Sequence, residues 1–431
     1  MKCLYIPIEF TVRELDGYCL LASRALSRGV SVVIAPRYVL YDYLGSLPTG
    51  IFLLKSIRPA EIREIAMVKA FGHQVAYLDQ ESLLQYDYHY LTGQKFDDTT
   101  IRACDYVFAL NAKHHDLLMK HVPSEIRSRI SLTGNPRFDF CQQHARAYYH
   151  EDAEPYILFT TSFGNVNPHN GKGSQEFLRM ITGLTKGQAN LDNEIERVAL
   201  NQLMLSRYRD LLVDLARQAA GRRIVVRPHL SENIQYWRDV VAPFPNVTVA
   251  PGDSIYKWLA GADVHIHFNS TTSVEAVMMG VPSVSLNIPP EYERFRLDAC
   301  FDLSTVFDDQ QQLLDAVLQR VLAVSPLSEG LLPEIASHDS SAAMMDAFIF
   351  QDGDHRFLPR QMLHTALVRL YRQWKHKLLT WNFSSSYHHR KIGRLNEAML
   401  RERFHYLAMV QQMPAHRLST FARHCLIVSP L

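Results

Sequence analysis

Residues 263–287, DVHIHFNSTTSVEAVMMGVPSVSLN, run a buried strand to Asn269 and then place Ser270, Thr271 and Thr272 where a helix begins, so that Asn269 and the three hydroxyls are candidate nucleotide contacts. That helix stops at Gly280, and Pro282 opens the next strand. Hydroxyls and free N–H groups at a helix N-terminus, backed by the helix dipole, suit a phosphate. Glu275, one turn in, can reach a ribose hydroxyl, although Ser270, Thr271 and Glu275 would read the same as an ordinary helix cap. RIVVRPHLSEN (223–233) delivers Arg227 and His229 to a strand's carboxyl end. Arg227 offers a forked donor to phosphate or carboxylate. His229 offers a proton or hydrogen bond to a leaving phosphate, and Pro228 fixes the backbone between them. A structural Arg and His at a strand end would look alike. In ILFTTSFGN (157–165), Ser162 and Gly164 lie in a small-residue turn that would let phosphates or a sugar approach the backbone.

Carboxylates stand at other strand ends. Glu9 directly follows CLYIPI, and Asp79 and Glu81 flank Gln80 after QVAYL. Acids so placed suit a general base or the stabilisation of an oxocarbenium-like centre. Singly, each is explained as well by ordinary strand-end polarity. Arg13 and Asp16 follow Glu9 in TVRELDG, as acceptor-side or hinge groups. TGNPRFD (133–139) sets Asn135, Arg137 and Asp139 after the last strand of the first half, as acceptor-side groups or as a latch at the hinge. Asp352-Gly353-Asp354 matches the DxD pattern of metal-dependent transferases, but it follows both strand series in a loop-like stretch and reads as a turn. The 20 histidines are dispersed, and the doublets His114-His115 and His388-His389 read as solvated. Neither a metal nor a cofactor is expected.

Two series of strands must hold these groups. CLYIPI (3–8), SVVIAP (31–36), IFLLKS (51–56), QVAYLD (74–79), DYVFAL (105–110) and RISLTG (129–134) alternate with helical patterns. YILFTTSF (156–163), RIVVRPH (223–229), NVTVAP (246–251), DVHIHFN (263–269) and PSVSLN (282–287) do so again, after a long helix at about 193–219. Such alternation predicts βαβ units and parallel sheets, with ligands at the carboxyl ends of the strands. The expected division is a Rossmann-like domain over 1–150, a second over 151–330, and a loop-rich, helical extension over 331–431. The 431 residues suffice for two cores. Lys+Arg (45) balances Asp+Glu (44), so no global charge points to nucleic acid. Six scattered cysteines, no signal-like N-terminus and no long apolar window predict a reduced, cytoplasmic protein. Between Arg360 and Arg394 eight Lys/Arg and no acid are interleaved with Trp374, Trp381 and Phe383. That pattern suits peripheral contact with an anionic membrane, or a helix packed back on the domains with its charges solvated.

The opening YIPIEFTVRELDG, the runs APRYVLYDYL, LLKSIRPAEI and YLDQESLLQYD, and then TGNPRFD, VRPHLSEN and FNSTTSVEA, resemble bacterial surface carbohydrate biosynthesis proteins. More distantly they are similar to the retaining β-Kdo transferases of capsule and lipopolysaccharide assembly. The matching segments spread over residues 3–290; the opening and TGNPRFD are the more specific, whereas STTSVEA-type segments recur across many GT-B families. The resemblance implies an α/β fold of GT-B type, two Rossmann-like domains facing an interdomain cleft with a C-terminal helical extension. It implies a metal-independent glycosyltransferase carrying a sugar, such as Kdo from a CMP-linked donor, to a surface glycan, lipid-linked acceptors included. On this resemblance Arg227, His229, Ser270, Thr271, Thr272 and Glu275 fall on the side of the nucleotide-activated sugar, and Glu9, Asp79 and Glu81 on the acceptor and catalytic side. Gln80 interrupts the acidic run that relatives show there. An epimerase of the UDP-N-acetylglucosamine 2-epimerase type, a polyol-phosphate transferase and a non-catalytic assembly subunit are the competing expectations.

Overall fold

Apolar runs of three to six residues, continuous rather than alternating, are what parallel strands buried on both faces require. In the computed structural model of the chain they form two sheets. The structure describes residues 2–79, 96–150, 154–171, 188–219, 221–250, 252–325, 339–350, 395–411, 415–422 and 425–430. Two compact units result, Met1–Phe140 with Leu331–Leu431, and Cys141–Gly330.

The first unit is built on β1 (Cys3–Ile8), β2 (Ser31–Pro36), β3 (Ile51–Leu54), β4 (Gln74–Leu78), β5 (Tyr106–Ala109) and β6 (Ile130–Leu132), all parallel. Their order is β2-β1-β3-β4-β5-β6. The helix Thr11–Ser27 leaves β1 through a turn that Glu14 fixes, its carboxylate accepting the Glu9 and Phe10 N–H groups at 2.9 and 3.2 Å. An acid in the first turn also suits the helix dipole. Gly29, at φ +71°, ends the helix in the left-handed conformation that favours glycine.

In the second unit β7 (Tyr156–Thr160), β8 (Ile224–Arg227), β9 (Val247–Val249), β10 (Ala262–Ile266), β11 (Ser283–Leu286) and β12 (Thr305–Phe307) are again parallel, in the order β12-β11-β10-β7-β8-β9. The helix Gln188–Gln218 sends Tyr208 beneath the sheet's carboxyl edge, where its hydroxyl donates to the His267 carbonyl at 2.6 Å and accepts the Leu286 N–H at 3.0 Å. Phe163 and Phe268, three residues beyond β7 and two beyond β10, stack at 5.5 Å and 8° beside it.

Two features depart from the expected division. The segment after residue 330 groups with the first unit, and the boundary falls at Phe140/Cys141 rather than at residue 150. Besides the helices Ser340–Ala347, inside a stretch expected to be loop, and Glu397–Gln411, the segment contains an unforeseen hairpin, β13 (His416–Ala422) and β14 (Cys425–Pro430). Antiparallel to β2, β14 extends the first sheet, with Val428 opposite Val32.

Side-chain contacts fasten this segment. The Arg403 guanidinium on Glu397–Gln411 meets the buried Asp16 carboxylate at 2.6 Å. Arg24 pairs with Asp339. Asp139 accepts from the backbone N–H and the hydroxyl of Ser340 at 2.7 and 2.9 Å, at the start of Ser340–Ala347. The TGNPRFD turn is seated equally closely on the first helix, where a Cβ at Gly17 would lie 2.6 Å from the Arg137 backbone.

Burial pushes the Asp139 carboxyl up to about 7, against the lowering effect of the Ser340 donors. An unfolded Asp titrates near 4. Between those values the folded chain therefore holds one more proton than the unfolded chain, and stability falls as pH rises. The urea midpoint is expected to drop from pH 5 to pH 7.5, and Asp139→Asn to flatten that part of the profile. An unchanged slope in the variant would assign the proton elsewhere.

Candidate functional site

Strand order reverses once in each parallel ladder, and at such reversals neighbouring loops diverge and leave a crevice at the carboxyl edge. In the second unit the reversal lies between β7 and β10. Ser162 follows β7 and donates to the Phe268 carbonyl beyond β10 at 3.1 Å, joining the two loops. Ser270 donates to the Thr272 hydroxyl at 3.2 Å and accepts the Thr272 N–H at 3.3 Å, while Thr271 makes no side-chain cap. Beneath them His267 is fully buried; it accepts the Ser270 N–H at Nδ1 (3.4 Å) and meets Ser304 Oγ at Nε2 (2.8 Å). Burial pulls His267 down to about 3, so it serves as a neutral prop.

Arg227 ends β8, next to β7. One terminal nitrogen reaches the Asp253 carbonyl at 3.2 Å, whereas its buried Nε has no hydrogen-bond partner. Burial pulls the guanidinium down to about 10, against the carboxylates of Glu275 and Asp253, and it remains cationic at neutral pH. Arg227 and Glu275, far apart in sequence, thus share one electrostatic neighbourhood at the carboxyl edge. Glu232, which sequence reasoning passed over, organises the loop between: it accepts from Thr161 Oγ1 (2.7 Å), the His229 N–H (3.0 Å) and Trp237 Nε1 (2.9 Å). Its carboxyl is pushed up by burial. The exposed His229 ring lies 2.7 Å from Ser231 Oγ through Nδ1.

Two residues expected to touch a ligand are occupied within the fold. Asn269 adopts φ +45°, a conformation Asn tolerates, and spends its amide on the Phe295 carbonyl and the Leu297 N–H at 2.8 and 2.9 Å. Gly164 is small because Ser231 crosses it, whose Oγ would lie 2.0 Å from a Cβ there.

In the first unit the reversal lies between β1 and β3, and Glu9 and Lys55 follow these strands. Lys55 bridges Glu9 at 3.0 Å and Glu14 at 2.7 Å, with its ammonium over the Phe10 ring. Arg37, after β2, pairs with Glu9 at 3.1 Å, with Glu61 at 3.0 Å and with Glu64. Burial would raise the Glu9 carboxyl, but Lys55 and Arg37 outweigh it and hold Glu9 below the usual carboxylate range. Such a group is a fixed negative charge and a weak base. Lys55 and Arg37 carry the strand-end signal that identified Glu9, yet only the fold joins them to it.

Asp79 lies at the end of β4, two strands from β1, in a separate cluster. It is buried and accepts from Tyr77 OH at 3.2 Å. Beside it on the next βα turn are Asn111, which caps the helix Ala112–His121, and His114. His114, expected in solvent, is 1% exposed. Glu81 lies outside the described residues, as do Asp352-Gly353-Asp354, His388-His389 and the basic stretch 360–394. Asp16 is taken by Arg403, and Asn135, itself buried, accepts the Arg137 N–H at 3.0 Å. Arg13 is partly exposed on the first helix, one turn from Glu9. Among the described residues no group of three or more His, Cys, Asp or Glu side chains converges as metal ligands do, and no helix is long and apolar enough to cross a membrane.

No protein-family model matches the chain, and no curated protein does. Solved structures similar to it include the UDP-GlcNAc 2-epimerase of Methanocaldococcus jannaschii (11% identity, 81% of this chain and 100% of that chain, TM-score 0.47). Another is the UDP-GlcNAc 2-epimerase of Neisseria meningitidis bound to UDP-GlcNAc (12%, 80% and 99%, 0.46). The Anabaena protein HepE in complex with UDP and glucose is a third (11%, 85% and 100%, 0.37). At these values the functional reading rests on the chain's own residues.

Proposed function

We propose that the chain is a GT-B glycosyltransferase, its second unit holding a nucleotide-activated sugar and its first unit supplying the carboxylate chemistry. The observation that carries this reading is Arg227, a guanidinium at the carboxyl edge whose buried Nε lacks a partner. A buried unpaired donor is costly in the free protein and is satisfied by an anionic ligand. Ser162, Ser270, Thr271 and Thr272 supply hydroxyls around the adjacent reversal, and Glu275, 2% exposed, is the carboxylate there that a ribose hydroxyl would meet. A donor with a single phosphodiester, such as a CMP-linked ulosonic acid, needs one such cation rather than a metal. The acceptor is a surface glycan of lipopolysaccharide or capsule assembly, reached from the cytoplasm at an anionic membrane face through the basic stretch 360–394.

Arg227→Ala is expected to weaken nucleotide binding about tenfold or more without lowering the unfolding midpoint. Calorimetry against CMP, UDP and GDP checks it, and equal affinity in the variant for whichever nucleotide binds removes the assignment. An epimerase is the second reading, because the Arg227–Glu275 neighbourhood would serve any sugar nucleotide. Turnover of a sugar nucleotide with no acceptor present favours it.

A further inference from the structure

At the carboxyl ends of β4 and β5, away from the Glu9–Lys55–Arg37 cluster, the chain keeps a hydrogen-bond donor with nothing to bond. His114 accepts the Leu110 N–H at Nδ1 (3.2 Å). The His114 backbone N–H donates to Asn111 Oδ1 at 2.9 Å, so the turn and the ring are both fixed. With Nδ1 an acceptor, the proton of the neutral ring resides on Nε2. That Nε2 is buried and without a partner. Asp79 directly follows Leu78, which pairs with Phe108 two residues before Leu110, so its carboxylate stands at the same edge; burial pulls the imidazole down to about 4, against the opposing pull of that carboxylate. An orphaned N–H in the interior is destabilising, and such a group persists where a water or a ligand supplies the missing acceptor.

The two groups limit what that ligand is. An anion would meet the Asp79 carboxylate. A cation would meet the Nε2–H. A metal needs a lone pair on Nε2, which the Leu110 contact at Nδ1 denies. A hydroxyl satisfies both, accepting from Nε2–H and donating to the carboxylate.

We infer that His114 and Asp79 form a subsite for a sugar or polyol hydroxyl at the β4–β5 edge of the first unit. The subsite deepens the transferase reading, on which it depends only for the polyol's being the acceptor. His114 is the binding donor, Asp79 the acceptor, and Asn111 and the Leu110 N–H are the groups that aim the ring.

The experiment follows the His114 Nε2–H resonance of the full-length wild-type chain labelled with nitrogen-15 histidine, identified by its loss in His114→Phe. Glycerol and methyl β-glucoside are the probes. A saturable shift with at least one polyol, displaced about tenfold to higher concentration in Asp79→Asn, is the expected result. A resonance unmoved by both polyols, as for a site filled by water alone, overturns the inference. So does a shift of equal midpoint in Asp79→Asn. Nucleotide affinity, measured by calorimetry on the same samples, separates the two readings. Its absence in the wild type counts against the transferase and leaves the subsite standing, whereas an unmoved resonance with nucleotide bound counts against the subsite alone.

Discussion

Glu9→Gln is expected to lower sugar transfer by about a hundredfold or more while the unfolding midpoint stays where it is. The fold tolerates the change because neither cation is abandoned: Lys55 keeps Glu14 at 2.7 Å, and Arg37 keeps Glu61 at 3.0 Å together with Glu64. What disappears is the charge itself. Lys55 and Arg37 hold Glu9 ionised below the ordinary carboxylate range, so its contribution should persist as pH falls to that range and vanish only below it. A carboxylate so stabilised removes protons poorly and suits the stabilisation of positive charge at an anomeric centre. Initial rates with a matched sugar nucleotide and acceptor check this. Parental rates in the variant would move the chemistry to Asp79 or beyond.

Arg403→Ala is expected to cost about 3–5 kcal/mol, the largest stability effect of any single change considered. The Asp16 side chain is 4% exposed and that of Arg403 11%, so deleting the guanidinium strands a carboxylate in the interior. The same logic separates the pair from its worth. Asp16→Leu combined with Arg403→Met removes both charges at similar volume, and most of the loss is expected to return. Denaturant titration of the two single variants and the double variant decides it. A double variant as unstable as Arg403→Ala would locate the cost in lost packing rather than in the buried charge.

The two parallel sheets were legible because strands buried on both faces leave continuous apolar runs, as CLYIPI and YILFT do. Glu9 and Arg227 were legible for a related reason, since a polar residue directly after such a run sits at a carboxyl edge. Partnership was not. Nothing local tells that Arg37 and Lys55, each at its own strand end, converge on Glu9. Asn269 reads as a ligand-facing amide until Phe295 and Leu297 claim it. Gly164 reads as room for a phosphate until Ser231 fills the space. His114 was hidden by its exposed neighbour: a His-His pair looks polar, yet His114 lies one turn before Leu118 on the buried face of its helix. The hairpin β13–β14 escaped notice because what makes it a strand pair is β2, at the other end of the chain.

That pairing bears on the order in which a ribosome can deliver a working molecule. The second unit is one unbroken stretch, Cys141–Gly330, and has all its strands as soon as that stretch has emerged. The first unit does not. Val32 waits for Val428, and Asp16 for Arg403, so these residues of the first unit meet their partners only after the second unit has been made. During synthesis the open side of β2 is an unpaired strand edge, the kind of surface on which nascent chains associate. A nascent chain stalled before residue 400 should therefore carry a finished second unit beside a first sheet still exposed along β2, and be the form that chaperones hold.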